Sequence, residues 1–172
     1  MASIIVDFSE MNALVERLSN ADKDFQKELS LFLEAIGFEF LDTVQDLIIQ
    51  KGNVDTGALL ASFEKGKSGN IWSLNSGDFK LEIGSDIKYA SYVNDGHWTN
   101  QKGQIGRWIP GTWNGDKFTY DPNAKTGMYL KQQWIEGSHY FDDAIKVMNK
   151  LVPKFVEKKL DTWMNSYFSQ FI

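Results

Sequence analysis

The sequence predicts an α+β fold, in which a long N-terminal helix and a kinked C-terminal helix pack on a small antiparallel sheet. Three observations support this prediction: apolar residues recur at helical spacing towards both ends of the chain, a stretch between them alternates with period two, and four of the six Trp residues fall within 97–136. That Trp-rich segment is predicted to be an inserted hairpin or arm. At 172 residues the chain is expected to form a single domain, 1–172, with the insertion at about 97–136.

The N-terminal third is predicted to be an extended entry followed by two helices. Ile4–Phe8 forms the entry, and Ser9 is placed to cap a short helix over Glu10–Leu18. Asn20 then caps the long helix, which Gly52 ends. Steps of three and four residues make one apolar stripe along it: Phe25, Leu29, Phe32, Ile36, Phe40, Val44, Leu47 and Ile48.

The middle of the chain predicts a short helix and then a hairpin. Asp55 or Thr56 can cap a helix that runs through Phe63. Two strands follow, at 70–75 and 79–84, joined by a Ser-Gly-Asp turn. The second of them alternates apolar with charged residues, as a half-buried strand does.

The remaining segments predict one ambiguous element, an irregular hairpin and a last helix. Tyr89–Val93 fits either a strand or a short helix. Arg107–Pro110 and Lys117–Tyr120 are predicted to be the two arms of a hairpin around 111–115. Apolar residues at near-helical steps from Phe141 to Phe171 predict the C-terminal helix, and Pro153 must either kink it or start a new one.

Composition argues against several classes of function. The net charge of −5 is unfavourable for gripping a phosphate backbone, because that affinity comes from Lys and Arg. The absence of cysteine excludes disulfides, thiol nucleophiles and cysteine-ligated metals. No apolar run approaches the roughly 20 residues that cross a bilayer, so we expect a soluble protein with no membrane partner.

Residues that could carry out catalysis are scarce. His97 and His139 are too few for a typical metal site. Asp142 and Asp143 are adjacent on a helix and so point about 100° apart, as favourable charges in its first turn and not as a catalytic pair. We therefore predict no catalytic residue, no metal and no cofactor. One alternative stays open: acids from distant loops beside the Trp-rich segment could form a carbohydrate-binding or glycoside-hydrolysing module.

Three short motifs lie along the chain, in or beside predicted elements. The first motif comprises Val54, Asp55, Thr56, Gly57, Leu59 and Ser62; the second, Tyr89, Ala90, Val93 and Gly96; the third, Phe141 and Ala144. Leu59, Leu60 and Phe63 offer an apolar face for docking. Tyr89 and Val93 are expected to point inward and Tyr92 to reach a rim, while Phe141 and Ala144 are expected in the core.

In this order the motifs resemble those of the tailed-phage head–tail joining and tail-completion family, which is found in the neck of the virion. The second motif departs from the family pattern, because Asn94 stands where an acid is usual. The inserted segment also lengthens the path to the last helix.

The resemblance implies a non-enzymatic virion protein that forms a ring with copies of itself. The implied partners are portal-side head connector proteins and the tail terminator or tail tube. The implied location is the virion neck or tail, after assembly in the cytoplasm of the bacterial host. DNA can pass through such a ring, and net-acidic subunits would let it slide without sticking.

The Trp-rich segment supplies the predicted interface. Trp98, Trp108, Trp113, Tyr120 and Tyr92 are the proposed anchors, because buried Trp and Tyr dominate interface energetics. The alternative is that these aromatic side chains fold back and cover the protein's own sheet.

Overall fold

The computed structural model of the protein describes residues 2–8, 23–100 and 103–169. It confirms the predicted α+β fold, with a long helix towards each end of the chain and small antiparallel sheets between them. The chain divides into two compact units, one formed by 1–94 with 139–172 and the other by 95–138. The predicted helix over 10–18 and the caps at Ser9 and Asn20 lie outside the described residues.

The first unit contains a three-stranded antiparallel sheet. Its strands are β1 (Ala2–Asp7), β2 (Asn70–Asn75) and β3 (Lys80–Ser85), in the order β1-β3-β2. The predicted strand 70–75 is confirmed, the strand predicted at 79–84 begins one residue later, and the predicted N-terminal entry pairs along β3. Ile83 lies opposite both Ile4 and Trp72, so these three residues share one face of the sheet.

Two long helices complete the core of this unit. Helix α1 (Lys23–Gln50) buries one stripe, Leu33, Ile36, Phe40, Val44 and Ile48, because these positions recur on one side of a helix. Helix α4 (Tyr140–Phe168) packs along α1 and buries Tyr140, Phe141, Ala144 and Met148. Pro153 lies inside α4, so no new helix begins there.

Two short helices connect these elements. Helix α2 (Ala58–Ala61) follows α1, and helix α3 (Ala90–Asp95) follows β3. The ambiguous segment at Tyr89–Val93 is therefore helical, since its inward-facing residues, Ala90 and Asn94, are four apart.

The second unit consists of strands alone. Strands β4 (Gly96–Trp98) and β8 (Trp134–Glu136) pair with each other, and β6 (Lys117–Tyr120), β5 (Gly106–Asn114) and β7 (Gly127–Lys131) form a sheet in that order.

The predicted pairing of the irregular hairpin is wrong. Strand β6 pairs with 111–114, whereas 106–110 pairs with β7. The reason is local: Gly115 adopts a φ of 59°, which allows a tight turn directly after Asn114.

Candidate functional site

The glycine of the first motif starts α2. Gly57 is the N-cap residue, with a left-handed φ of 80° and no side-chain cap. The prediction that Asp55 or Thr56 caps this helix is wrong, because the turn at Gly57 leaves both residues outside it. The Thr56 hydroxyl makes only a long contact, 3.4 Å, with the N–H of Ala58.

Ser62, the last residue of the first motif, joins α2 to the sheet. Its fully buried hydroxyl donates to the carbonyl of Leu59 at 2.7 Å and accepts from the hydroxyl of Ser85, in β3, at 2.8 Å. The Ser62 carbonyl accepts from the amide of Asn70, in β2, at 3.0 Å. A small side chain that both donates and accepts satisfies this buried network.

The second motif forms α3, which has a buried and an exposed side. Ala90 and Asn94 are buried, and Val93 is half-buried against the core. Tyr92 is exposed, as predicted, but Tyr89 is exposed as well. The prediction that Tyr89 points inward is wrong, because helical spacing gives the inward position to Ala90.

The third motif begins α4, and the second motif caps it. The Oδ1 of buried Asn94 accepts from the backbone N–H of Phe141 at 2.9 Å, and its Nδ2 donates to the carboxylate of Asp142 at 3.1 Å. The Asn94 carbonyl accepts from the N–H of His139 at 2.9 Å. Asn94 thus satisfies N–H groups at the start of α4 that lack partners within the helix.

The buried residues around the three motifs meet in the core. The Phe63 ring lies 6.0 Å from the rings of both Tyr140 and Phe141, and Phe40 meets Phe141 edge-on at 5.4 Å. The Tyr140 hydroxyl donates to the carbonyl of Ala90 at 3.3 Å. The predicted core positions Phe141 and Ala144 are confirmed. The buried motif residues therefore stabilise the fold.

The two adjacent acids at the start of α4 have separate partners. Lys51 donates to the Asp143 carboxylate at 2.6 Å and Lys146 donates at 2.9 Å, and these hydrogen bonds lower the pKa of Asp143 to about 2. The same pairing raises the pKa of Lys146. Asp142 instead contacts Asn94 and His139. As predicted, both acids lie in the first turn of α4.

The exposed residues of the first two motifs converge on one surface groove of about 390 Å³. Its lining residues are Asn53, Asp55, Thr56, Gly57, Leu59, Leu60, Tyr89 and Val93. The Asn53 Nδ2 is buried and has no hydrogen-bond partner among the described residues. Val54 lies beside this groove in sequence and is exposed. The groove is apolar with a few polar groups, which is the usual character of a binding surface.

The second unit exposes most of its aromatic side chains. The proposed anchors Trp98, Trp108, Trp113 and Tyr120 are 55%, 58%, 54% and 63% exposed. Neighbouring side chains extend this apolar surface: Ile105, Tyr129, Trp134 and Ile135 are also exposed. Such a concentration of exposed apolar side chains is typical of a surface that binds another protein.

Two of these aromatic rings pack over strand glycines, which have no side chain to displace them. A Cβ built on Gly127 would lie 2.8 Å from the Trp108 ring, and one built on Gly106 would lie 2.5 Å from the Tyr129 ring. Trp108 and Tyr129 are also opposite each other in the register of β5 and β7. Both rings thus lie against the sheet, which limits the freedom that they would lose on binding.

The described residues offer few other sites. Within 2–8, 23–100 and 103–169, no group of three or more His, Asp or Glu side chains could hold a metal ion. No helix in those ranges is long and apolar enough to cross a membrane.

Two residues of interest escaped the sequence-based predictions. Asn94 was noted only as a departure from an acidic position, since a cap on a helix that begins 46 residues later has no local signal. Tyr129 was missed because its pairing with Trp108 depends on the register of β5 with β7, which the predicted hairpin did not contain.

Comparison with known proteins gives the class of this protein. Residues 12–96 match the family model described as "Bacteriophage HK97-gp10, putative tail-component". This range contains the first and second motifs.

Two proteins of Bacillus subtilis (strain 168) are similar along nearly their whole length. The uncharacterized protein YqbI is 42% identical over 162 residues, which cover 92% of this chain and 97% of YqbI. The phage-like element PBSX protein XkdI is 41% identical over 160 residues, which cover 93% of this chain and 97% of XkdI. No solved structure matches the chain. The chain belongs to the HK97-gp10-like family of phage tail components, which confirms the resemblance to phage neck and tail proteins and gives it a structural role in a phage tail.

Proposed function

We propose that this protein is a non-enzymatic subunit of the phage neck or tail that forms a ring with copies of itself. The ring would lie between the head connector and the tail terminator or tail tube, where it completes the tail and joins it to the head. Its location would be the virion, after assembly in the host cytoplasm. Similarity to a protein of the phage-like element PBSX supports a phage particle as the setting.

The observation that carries this proposal is the aromatic surface of 95–138. Four predicted anchors in one small unit leave more than half of each side chain exposed to solvent. A chain that used these side chains only to cover its own sheet would bury them, because each aromatic ring buried is worth about 1.5–3 kcal/mol. Exposure at this density favours the predicted interface.

The head-to-tail geometry follows from symmetry. A ring requires one patch of each subunit to meet a different patch on the next copy. Trp108 and Tyr129, which are opposite each other on one face of the β6-β5-β7 sheet, supply one patch, and Tyr92 on α3 supplies a further exposed anchor on the first unit.

A joining assay tests this function. Head and tail fractions from a phage mutant that lacks this gene would be incubated with purified protein, and infectious particles would be counted. We expect wild-type protein to restore joining and a Trp108→Ser/Trp113→Ser variant to restore less than about a tenth as much, since loss of two aromatic anchors removes several kcal/mol. Met164→Ser, at an exposed apolar position on α4, is the control.

Two results would contradict the proposal. The proposed ring would be contradicted if wild-type protein did not restore joining and remained monomeric in native mass spectrometry. The proposed role of the inserted segment would be contradicted if a variant that lacks 99–125 still assembled with normal affinity. Binding of the monomer to oligosaccharides, abolished by Trp108→Ser, would favour the carbohydrate-binding alternative.

Charge supports a further part of the same proposal, passage of DNA through the ring. Because the subunit carries a net charge of −5, we expect it to repel the DNA duplex, which is also negatively charged. Reversal of acids that line the channel of the assembled ring should slow DNA ejection. Unchanged ejection would contradict this part alone.

A further inference from the structure

The two units differ in charge as well as in structure. Of the 18 Lys and Arg residues, five lie in 95–138 and 13 elsewhere; of the 23 Asp and Glu residues, four lie in 95–138 and 19 elsewhere. The strand-built unit therefore carries a net charge of +1 and the rest of the chain −6. Opposite charge on two surfaces favours their association between copies.

Two of the five basic residues of 95–138 share one face of the β6-β5-β7 sheet with exposed aromatic rings. Residues opposite each other in the register lie on one face, and this face carries Trp108 and Tyr129 with Lys131 beyond them and Lys117 at the other end of β5. All four side chains are exposed. Neither lysine forms an ion pair with any of the described residues. We name these four residues the aromatic–basic face.

The complementary surface lies on the outer side of α1. Leu31, Phe38 and Ile49 are exposed although they lie on a helix whose opposite stripe is fully buried. At 100° per residue they fall within about 20° of one another, with Asp42 on the same line and Asp46 beside it. These five residues form what we name the acidic stripe.

One end of the acidic stripe has a cation beside it, because the Lys65 ammonium lies 5.1 Å from the centroid of the Phe38 ring. The acids further along the stripe have none from α1 itself. Residues 31–50 contain Glu34, Glu39, Asp42 and Asp46 and no Lys or Arg. Lys65 pairs with Glu34 at 3.1 Å, whereas Asp42 and Asp46 form no ion pair within the described ranges. A second apolar stripe flanked by unbalanced acids is unusual for a helix that faces only water.

The two surfaces also agree in length. The acidic stripe runs 18 steps from Leu31 to Ile49, which at 1.5 Å per step is about 27 Å. Strand β5 runs eight steps from Gly106 to Asn114, which at 3.3 Å per step is about 26 Å. One sheet face can therefore cover the whole stripe.

We propose that the aromatic–basic face of one copy binds the acidic stripe on α1 of a second copy. Trp108 and Tyr129 would cover Leu31 and Phe38. Lys117, at the other end of β5, would then approach Asp42 and Asp46, which lie one helical turn apart. This inference rests on the proposed function, because it names the surface on which the inserted unit docks within the ring. Because the two contacting surfaces are different, each copy can bind one neighbour through its aromatic–basic face and another through its acidic stripe. The contact therefore propagates head to tail.

The chain has no cysteine, so single cysteines report the contact directly. Ala35→Cys lies on the acidic stripe and Thr112→Cys on the aromatic–basic face, and both positions are exposed. A short bismaleimide should link a mixture of the two variants into dimers and leave each variant alone as monomer. Lys150→Cys, at an exposed position on α4, replaces Ala35→Cys in the control mixture and should not link.

Charge exchange gives a second readout by native mass spectrometry and sedimentation. We expect Lys117→Glu/Lys131→Glu and Asp42→Lys/Asp46→Lys each to weaken self-association by at least about tenfold, and a mixture of the two variants to recover it. Lys150→Glu/Lys154→Glu, on exposed α4 positions, makes the same change in net charge as Lys117→Glu/Lys131→Glu and should leave self-association unchanged.

The outcomes separate the two proposals. Wild-type protein that assembles, together with no selective cross-link and no effect of charge reversal on α1, overturns this inference and leaves the proposed ring intact. Wild-type protein that stays monomeric and does not join heads to tails overturns both. Cross-linking of Ala35→Cys to itself would indicate a symmetric α1 contact and would also overturn the inference.

Discussion

Replacing Asn94 by aspartate exchanges one atom group of a buried side chain and tests how the last helix is held in place. The amide of Asn94 accepts from the Phe141 N–H at 2.9 Å and donates to the Asp142 carboxylate at 3.1 Å. Asn94→Asp keeps the acceptor and loses the donor. It also introduces the acid that the resemblance to the phage family leads one to expect at this position, so that expectation would favour the variant.

The structure predicts the opposite effect at neutral pH. A hydrogen bond to a charged group, worth about 1.5–3 kcal/mol, is lost. Two carboxylates would then lie about 3 Å apart, and with Asp142 half-exposed their repulsion is on the order of 2 kcal/mol, between the values for water and for a protein surface. The extra negative charge at the N-terminus of α4 returns about 0.3–1 kcal/mol. The net loss of stability should be about 3 kcal/mol.

Urea denaturation followed by far-UV circular dichroism measures this loss. The matched control is Asn94→Asp/Asp142→Asn, which exchanges donor and acceptor and should recover stability to within about 1 kcal/mol of wild type. A single variant as stable as wild type would show that the hydrogen bond to Asp142 does not hold α4. A double variant no better than the single one would refute the role assigned to charge.

Two further predictions concern contacts between α1 and its neighbours in the first unit. Because the hydrogen bonds from Lys51 and Lys146 lower the pKa of Asp143 from 3.8 to about 2, the stabilisation that they give is present above pH 4 and declines as the pH falls towards 2. Asp143→Asn should therefore cost about 1 kcal/mol at pH 7, after allowance for solvent screening, and about half that at pH 3; an equal cost at both values would contradict the ion pair. Gly37→Ala should lower stability by about 1 kcal/mol in thermal unfolding, because a Cβ would lie 2.6 Å from buried Leu81 and 2.7 Å from Trp72, and this overpacking exceeds the gain in helix propensity. A rise in melting temperature would show that Leu81 can move aside.

The fold was predictable wherever periodicity is local. The stripe of α1, the strand at 70–75 and the alternation in β3 each depend on spacings within one element, and the structure confirms them. The errors fall where neighbouring segments compete. Tyr89 was expected inside because it opens a motif, but the helix rotates Ala90 inward.

The candidate site was predictable by residue type and not by arrangement. Abundant Trp and Tyr in 97–136 indicated an interface, and the proposed anchors are exposed. Their division between two sheet faces was not visible, because it depends on where β5 changes partner from β7 to β6. The acidic stripe on α1 gives a weaker signal than the buried stripe, because its apolar residues Leu31, Phe38 and Ile49 are seven and eleven residues apart.

By itself, the sequence determined the fold class, the order of the two long helices and of the hairpin between them, and the family, because these depend on local periodicity and on the order of short motifs. Only the tertiary structure decided which motif residues are buried, that Asn94 holds the first turn of α4, and which aromatic and charged side chains share a surface. The physical reason is that burial, capping across 46 residues and strand register are set by contacts between segments distant in sequence. Such contacts do not produce a periodic pattern of apolar residues in either segment.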